Sequence, residues 1–273
     1  MSHDPRGTQV LTHYSGILMY SPDKLEPFLD LMNPLYETVT KCAGKLLIFA
    51  GFAIRPGAPG ISPISFLFYD GPEAEARSLA APLFELGPVM TNCNMKRYAE
   101  VTDVWPIMMG PPTHQRFACK NTPLVPPIDV DAVKGLLEDF GAFNAKYGAS
   151  VGPSRVVLEL RYSGVTASVP VDAMAYAGRQ QRCLIVADAQ YDHASLDTAM
   201  RSEVRTMIEN LRERIAKNTG KPEADEVVLN ANIGNGDEKL QSLFGENLPR
   251  LKELKRLYDP KCRFDKWYPI RLE

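Results

Sequence analysis

The stretch KLLIFAGFAIRPGAPGISPISFLFYDG, Lys45 to Gly71, holds two β-rich apolar runs and a turn-rich connector, RPGAPG, Arg55 to Gly60. Glycine and proline punctuate that connector, which leads from strand to strand with no helix after it. Elsewhere helical runs separate the strands. Upstream, QVLTHYSGILMYS reads as a strand. SPDKLEPFLDLMNPLYETVTKC reads as one helix, with Ser21 as N-cap and Pro22 at the first helical position. Downstream, GPEAEARSLAAPLFELG is a helix that ends at Gly87. It is followed by PVMTNCNMKRY, HQRFACKNT, the helix DVDAVKGLLEDFGAFNAKYG, and the strands SRVVLELRYSG and RCLIVADAQY. A long helix then runs from about Ser195 to Lys217, with Leu196, Met200, Val204, Ile208, Leu211 and Ile215 near i, i+4 spacing. Strands joined through helices and strands joined without them are mixed. The expected fold is therefore α+β, a mostly antiparallel β-sheet with helices on one face. The other face is left for solvent, a ligand or a partner. Asn218–Asp225 and PIMMGPPTH, Pro106 to His114, read as loops.

Composition narrows the function. The 273 residues are 45% hydrophobic and 23% charged, which suits one large domain or two small ones with a sizeable core. A net charge of -2 without a basic run argues against nucleic acid as a partner. The apolar runs are too short to span a bilayer, and the polar start MSHDPRGTQV is not a signal peptide. Five scattered cysteines with no CxxC spacing read as reduced thiols. The expectation is a cytoplasmic protein with neither membrane nor nucleic acid as a partner.

Period-two alternation sorts the candidate residues by face. Arg182, Leu184, Val186, Asp188 and Gln190 share one face of their strand; Val157, Glu159 and Arg161 share one face of theirs. In HQRFACKNT, His114, Arg116, Ala118 and Lys120 alternate against Gln115, Phe117 and Cys119. A His-Arg-Lys face could polarise a carbonyl or bind a carboxylate, or serve as a charged edge that blocks aggregation. Tyr98 and Tyr176 are hydroxyl donors or buried core tyrosines. His13 and His193 have no second ligand at metal spacing, there is no GxSxG elbow, and Cys119 and Cys183 read as core thiols.

The tail SLFGENLPRLKELKRLYDPKCRFDKWYPI, Ser242 to Ile270, carries Leu248, Leu251, Leu254 and Leu257 along one helical face, stopped by Asp259-Pro260. Its pattern, FGEN, RL, LK, YDP and then phenylalanine, resembles the C-terminal signature of berberine-bridge-enzyme-like FAD-linked oxidases. HYSGILMYSPDKLEPFLDLM, LGPVMTNCNMKRYAEV, AYAGRQQRCLIVADAQYD and VVLNANIG are similar to earlier segments of that family's substrate domain. The resemblance divides the chain into a substrate-binding domain, 1–235, and a C-terminal tail, 236–273. It also implies that the family's N-terminal flavin domain is missing, since no arginine-glycine-glycine-histidine loop is present and RPGAPG is no phosphate cradle. No cofactor is therefore expected.

By the same resemblance Asp188 and Gln190 point to where the family holds substrate. Gln190 stands in the place of a catalytic glutamate, and Ala231 in that of a His or Tyr. An amide cannot take a proton but can donate a hydrogen bond. Gln190, Asp188, Arg116 and Tyr98 are the expected catalytic residues. His114, Glu159, Arg161, Tyr176, Tyr191 and Asn230 are the expected substrate contacts. The expected activity is a cofactor-independent cyclase or isomerase, such as a Diels-Alderase, acting on a hydrophobic natural-product intermediate as a homodimer. The alternatives are an oxidoreductase subunit that uses flavin in trans, and a non-catalytic binding partner.

Overall fold

The computed structural model describes residues 12–54, 60–104, 116–220 and 229–272. The connector at 55–59, the expected loop at Pro106–His114 with His114 itself, and most of the loop after Asn218 lie outside those residues.

Among the described residues eight strands form one sheet: β1 Thr12–Met19, β2 Leu46–Ile54, β3 Ile61–Tyr69, β4 Met90–Thr91, β5 Asn94–Arg97, β6 Arg116–Leu124, β7 Arg155–Leu160 and β8 Cys183–Tyr191. Their order is β4-β1-β3-β2-β7-β8-β6, with β5 also on β1. Each of these pairings is antiparallel, so the sheet follows the reading made at Lys45–Gly71.

The helices are α1 Leu25–Asp30, α2 Met32–Lys41, α3 Glu73–Leu79, α4 Ala81–Glu85, α5 Val130–Tyr147, α6 Gly164–Ala167, α7 Asp197–Thr219, α8 Leu240–Phe244 and α9 Leu248–Tyr258. Two helices expected whole are broken. The first gives way at Leu31, because Pro34 has no N–H for the carbonyl of Asp30 and its ring crowds it. The second gives way at Ala80 for the same reason at Pro82. Ser21 precedes a 3-10 turn, Pro22–Lys24, and its side chain caps no backbone N–H there.

α5 and α7 pack on the sheet through Leu136, Phe140 and Phe143, and through Met200, Val204 and Leu211. Asp129 caps α5 by accepting the N–H of Ala132 at 2.9 Å. Asp139 of α5 ties the two helices together, accepting from Arg214 at 2.8 and 3.0 Å. The core lies between these helices and one sheet face, built from Ile48, Val156, Leu158, Ile185 and Ala187.

The opposite face is the open one. It carries Phe49, Val157, Leu184 and Val186 on β2, β7 and β8, with Ile17, Ile64 and Phe66 on β1 and β3. The last strand, β6, has its outer edge covered by the segment 229–239. Asn235 Oδ1 accepts the Cys119 N–H at 2.9 Å, and Asn121 Oδ1 accepts the Asn230 N–H at 3.1 Å. An unpaired edge invites a foreign strand, and this segment removes the invitation.

Candidate functional site

On the open face, β2, β7, β8 and β6 enclose a cavity of about 230 Å³. Its floor is Phe49, Gly51, Val157 and Val186; Phe117, Cys119 and Ile233 form one side. Three charged side chains reach it, Arg155, Glu159 and Asp188. Alternation explains the set: residues 155, 157 and 159 of β7 and 186 and 188 of β8 fall on one side of the pleat.

The two carboxylates differ in their surroundings. Asp188 is 4% exposed. Its Oδ2 accepts from Arg155 Nε at 3.0 Å and pairs with Nη2 at 2.8 Å, while Oδ1 accepts the Arg155 backbone N–H at 3.0 Å. Burial pushes its carboxyl up to about 6, against the pull of Arg155. Glu159 has no hydrogen-bond donor among the described residues. Its one charged neighbour is Arg161, with Nε 3.5 Å from Oε2 outside hydrogen-bond geometry. Burial raises the Glu159 carboxyl, and Arg161 only partly offsets this. The cavity therefore holds one engaged carboxylate and one available carboxylate. Arg161 Nε and Nη2 are themselves buried without an acceptor, as is Nε of the buried Arg179 in the β7–β8 connection.

Asp188 and Glu159 thus line one cavity, and Arg161 stands beside Glu159. The other expected residues lie elsewhere. Gln190 is outside the cavity lining; its backbone N–H meets Ser154 Oγ at 3.1 Å and its amide reaches the Pro153 carbonyl at 3.5 Å. Arg116 and Lys120 share the helix-side face of β6 with buried Ala118. There Arg116 forks onto Asp197 of α7 at 2.8 and 3.0 Å, and Lys120 meets Glu238 at 2.7 Å. The basic face thus makes internal ion pairs, and the apolar face with Phe117 lines the cavity.

Tyr191 is buried in the helix-side core, on the face opposite to the cavity. Tyr98 is 72% exposed and stands edge-on to His13 at 5.7 Å. Tyr176 lies in the β7–β8 connection, donating to Gln181 at 3.3 Å. Asn230 closes a turn by accepting the Asn232 N–H at 3.0 Å, and Asn232 and Ile233 reach the cavity instead.

Arg155 was missed. It opens β7, two residues before Val157, and the alternation that marks Val157 and Glu159 also marks it. Cys119 lines the cavity, but burial, with the negative charges of Asp188 and Glu238, pushes its thiol up to about 12. That removes it as a nucleophile. Among the described residues no group of three or more His, Cys, Asp or Glu could hold a metal ion, and no described helix is long and apolar enough to cross a membrane.

The tail signature has a structural meaning. Asp259 accepts the backbone N–H groups of Arg263 at 2.8 Å and Phe264 at 3.0 Å, and pairs with Lys255. The aspartate of YDP therefore folds the chain back after α9.

Comparison with known proteins gives a consistent picture. The profile of the family described as berberine and berberine like matches residues 231–269. FAD-linked oxidoreductase pgmH of Aspergillus terreus is 35% identical over 261 residues, covering 93% of this chain and 54% of that protein. The fold is similar to that of 6-hydroxy-D-nicotine oxidase from Arthrobacter nicotinovorans, with TM-score 0.70 and 18% identity over 97% of this chain and 56% of the other. It is also similar to a variant of berberine bridge enzyme, with TM-score 0.64 and 15% identity over 95% and 55%. The chain spans about half the length of the curated relatives it matches.

Proposed function

Because the chain belongs to the berberine-bridge-enzyme-like family of FAD-linked oxidases, we propose that its open sheet face binds a small, largely apolar natural-product intermediate and that Glu159 takes a proton from it. The observation that carries this is the available carboxylate of Glu159 on an otherwise apolar floor. A carboxylate shielded from water and short of donors is a stronger base than an exposed one. Phe49, Val157 and Val186 exclude water around it, and Arg161 moderates its charge.

FAD, when bound, supplies a hydride acceptor. The described residues do not fit a whole FAD. The sheet face suits a flat ring, but a diphosphate needs free backbone N–H groups ahead of a helix. The glycine-bearing turn before α8 has those of Asn235 and Gly236 occupied by Glu238, at 3.2 and 3.1 Å.

A second reading, cyclisation or isomerisation of the same class of molecule, a Diels-Alder closure included, is favoured by the same cavity. In an isomerisation, a proton taken by Glu159 can be returned to another atom of the same molecule; a Diels-Alder closure moves no proton and rests on holding the reacting ends together, which lowers a barrier by about 7–11 kcal/mol. The test is incubation with hydroxylated aromatic and polyene polyketides, with and without FAD, followed by mass spectrometry. A product two hydrogens lighter that requires FAD supports the oxidase. An isomeric product formed without FAD supports the second reading. Full turnover by folded Glu159→Gln would remove Glu159 as the base in the oxidation and the isomerisation alike.

A further inference from the structure

Resting on the substrate-binding reading above, we infer that the cavity selects a neutral, hydroxyl-bearing molecule about the size of a fused bicyclic aromatic, with Glu159 as the acceptor that reads the hydroxyl. Size comes first. An apolar cavity of ~150 Å³ holds one benzene ring, and this one is about 230 Å³. Shape follows from the pleat: the floor is a sheet face with Gly51 between Phe49 and Ala53, so a flat ring can lie on the backbone where no side chain stands.

Polarity decides the rest. Asp188 presents no free oxygen, because three donors of Arg155 occupy its carboxylate. The Arg155 guanidinium holds that carboxylate through Nε and Nη2. Arg161 has buried nitrogens without acceptors, but they have almost no surface and lie outside the lining. Two side chains in the lining lack a hydrogen-bond partner among the described residues, the exposed amide of Asn232 at the rim and the carboxylate of Glu159 on the floor; Glu159 is the charged one, and a carboxylate accepts without donating. A ligand hydroxyl answers it. A ligand carboxylate brings like charge against it in a shielded site. A sugar would place several hydroxyls against Val157, Val186 and Ile233 with nothing to receive them.

The experiment titrates the full chain with 2-naphthol, naphthalene, 2-naphthoate and N-acetylglucosamine, following the methyl resonances of Val157 and Val186. The expected result is that 2-naphthol binds at least about tenfold tighter than each of the others, in line with a hydrogen bond to a charged group. Glu159→Gln, checked for native circular dichroism, should shrink the 2-naphthol preference over 2-naphthoate to about threefold or less, because the repulsion goes with the charge. Equal binding of 2-naphthoate or N-acetylglucosamine to the wild type overturns the inference while leaving the cavity as a binding site. So does a preference for 2-naphthol that Glu159→Gln leaves unchanged. If no probe moves the Val157 and Val186 signals, the substrate-binding reading itself fails.

Discussion

Asp188 and Glu159 share a sheet face and a cavity, yet their neighbours give them opposite characters. Asp188 is held by Arg155 at 2.8 Å, whereas Glu159 has Arg161 beside it at 3.5 Å and no hydrogen-bond donor among the described residues. Breaking a buried ion pair by removing one partner costs about 3–5 kcal/mol, since the other charge remains buried. Arg155→Ala should therefore lower stability by that amount, whereas Arg155→Met with Asp188→Leu should recover most of it. Urea denaturation of the three proteins checks this, and equal losses in the single and double variants would contradict it. Alternation in the sequence brought out Glu159 and Asp188 because a two-residue period fixes which face a side chain takes. It is silent on which face of β6 meets the helices, so Arg116 was given to the ligand side; Arg116 is tied to Asp197, and Lys120 on the same face to Glu238. It is equally silent on depth, which is why Gln190, on the favoured face, lies beyond the lining.

Elements were legible where one periodicity ran without interruption. The strands β1, β2, β7 and β8 and the helix α5 fall within the runs that predicted them, while β3 begins one residue before its run, β6 runs two residues past its own to Leu124, and α7 runs past Lys217 to Thr219. The two broken helices show the limit. Apolar spacing continues across Leu31 and Ala80, but Pro34 and Pro82 cut the hydrogen-bond ladder there. Close approach between elements is another property that periodicity does not carry. Gly16 of β1 faces the backbone of Cys93: a Cβ there would sit 2.5 Å from the Cys93 Cα and 2.7 Å from its nitrogen. Backbone cannot swing aside like a long side chain. Gly16→Ala should destabilise the protein by about 1–3 kcal/mol or more, with thermal unfolding as the measurement. An unchanged midpoint would mean that the β4–β5 turn yields freely.

At the scale of the molecule, Glu238 fastens the C-terminal segment to the sheet. Burial would raise its carboxyl, but hydrogen bonds from Lys120, from Tyr268 at 2.6 Å and from the Asn235 N–H hold it at about 2. The folded value lies below the usual carboxylate range, so the contact stabilises fully above about pH 4.5 and is lost as pH falls toward 2. The contribution is on the order of 3 kcal/mol. Acid titration followed by tryptophan fluorescence, with Trp267 packed over Gly236, should show this loss. Glu238→Gln should be weaker at pH 7 and flatter below pH 4.5; an identical acid profile would remove Glu238 from the account.

The open face exposes apolar side-chain surface, with Phe117 at 53% among the cavity-lining residues. Monomers rarely leave large apolar patches uncovered, and we propose a homodimer that buries about 1,200–2,000 Å². A monomeric mass by light scattering at micromolar concentration would oppose it. The cover on β6 also has a place in the life of the chain on the ribosome. Cys119 and the Asn235 that shields it are 116 residues apart. At roughly 5–20 residues per second, on the order of ten seconds pass between their syntheses. Throughout that interval the nascent strand lacks its own guard, and a stop codon before Asn235 would make the interval permanent.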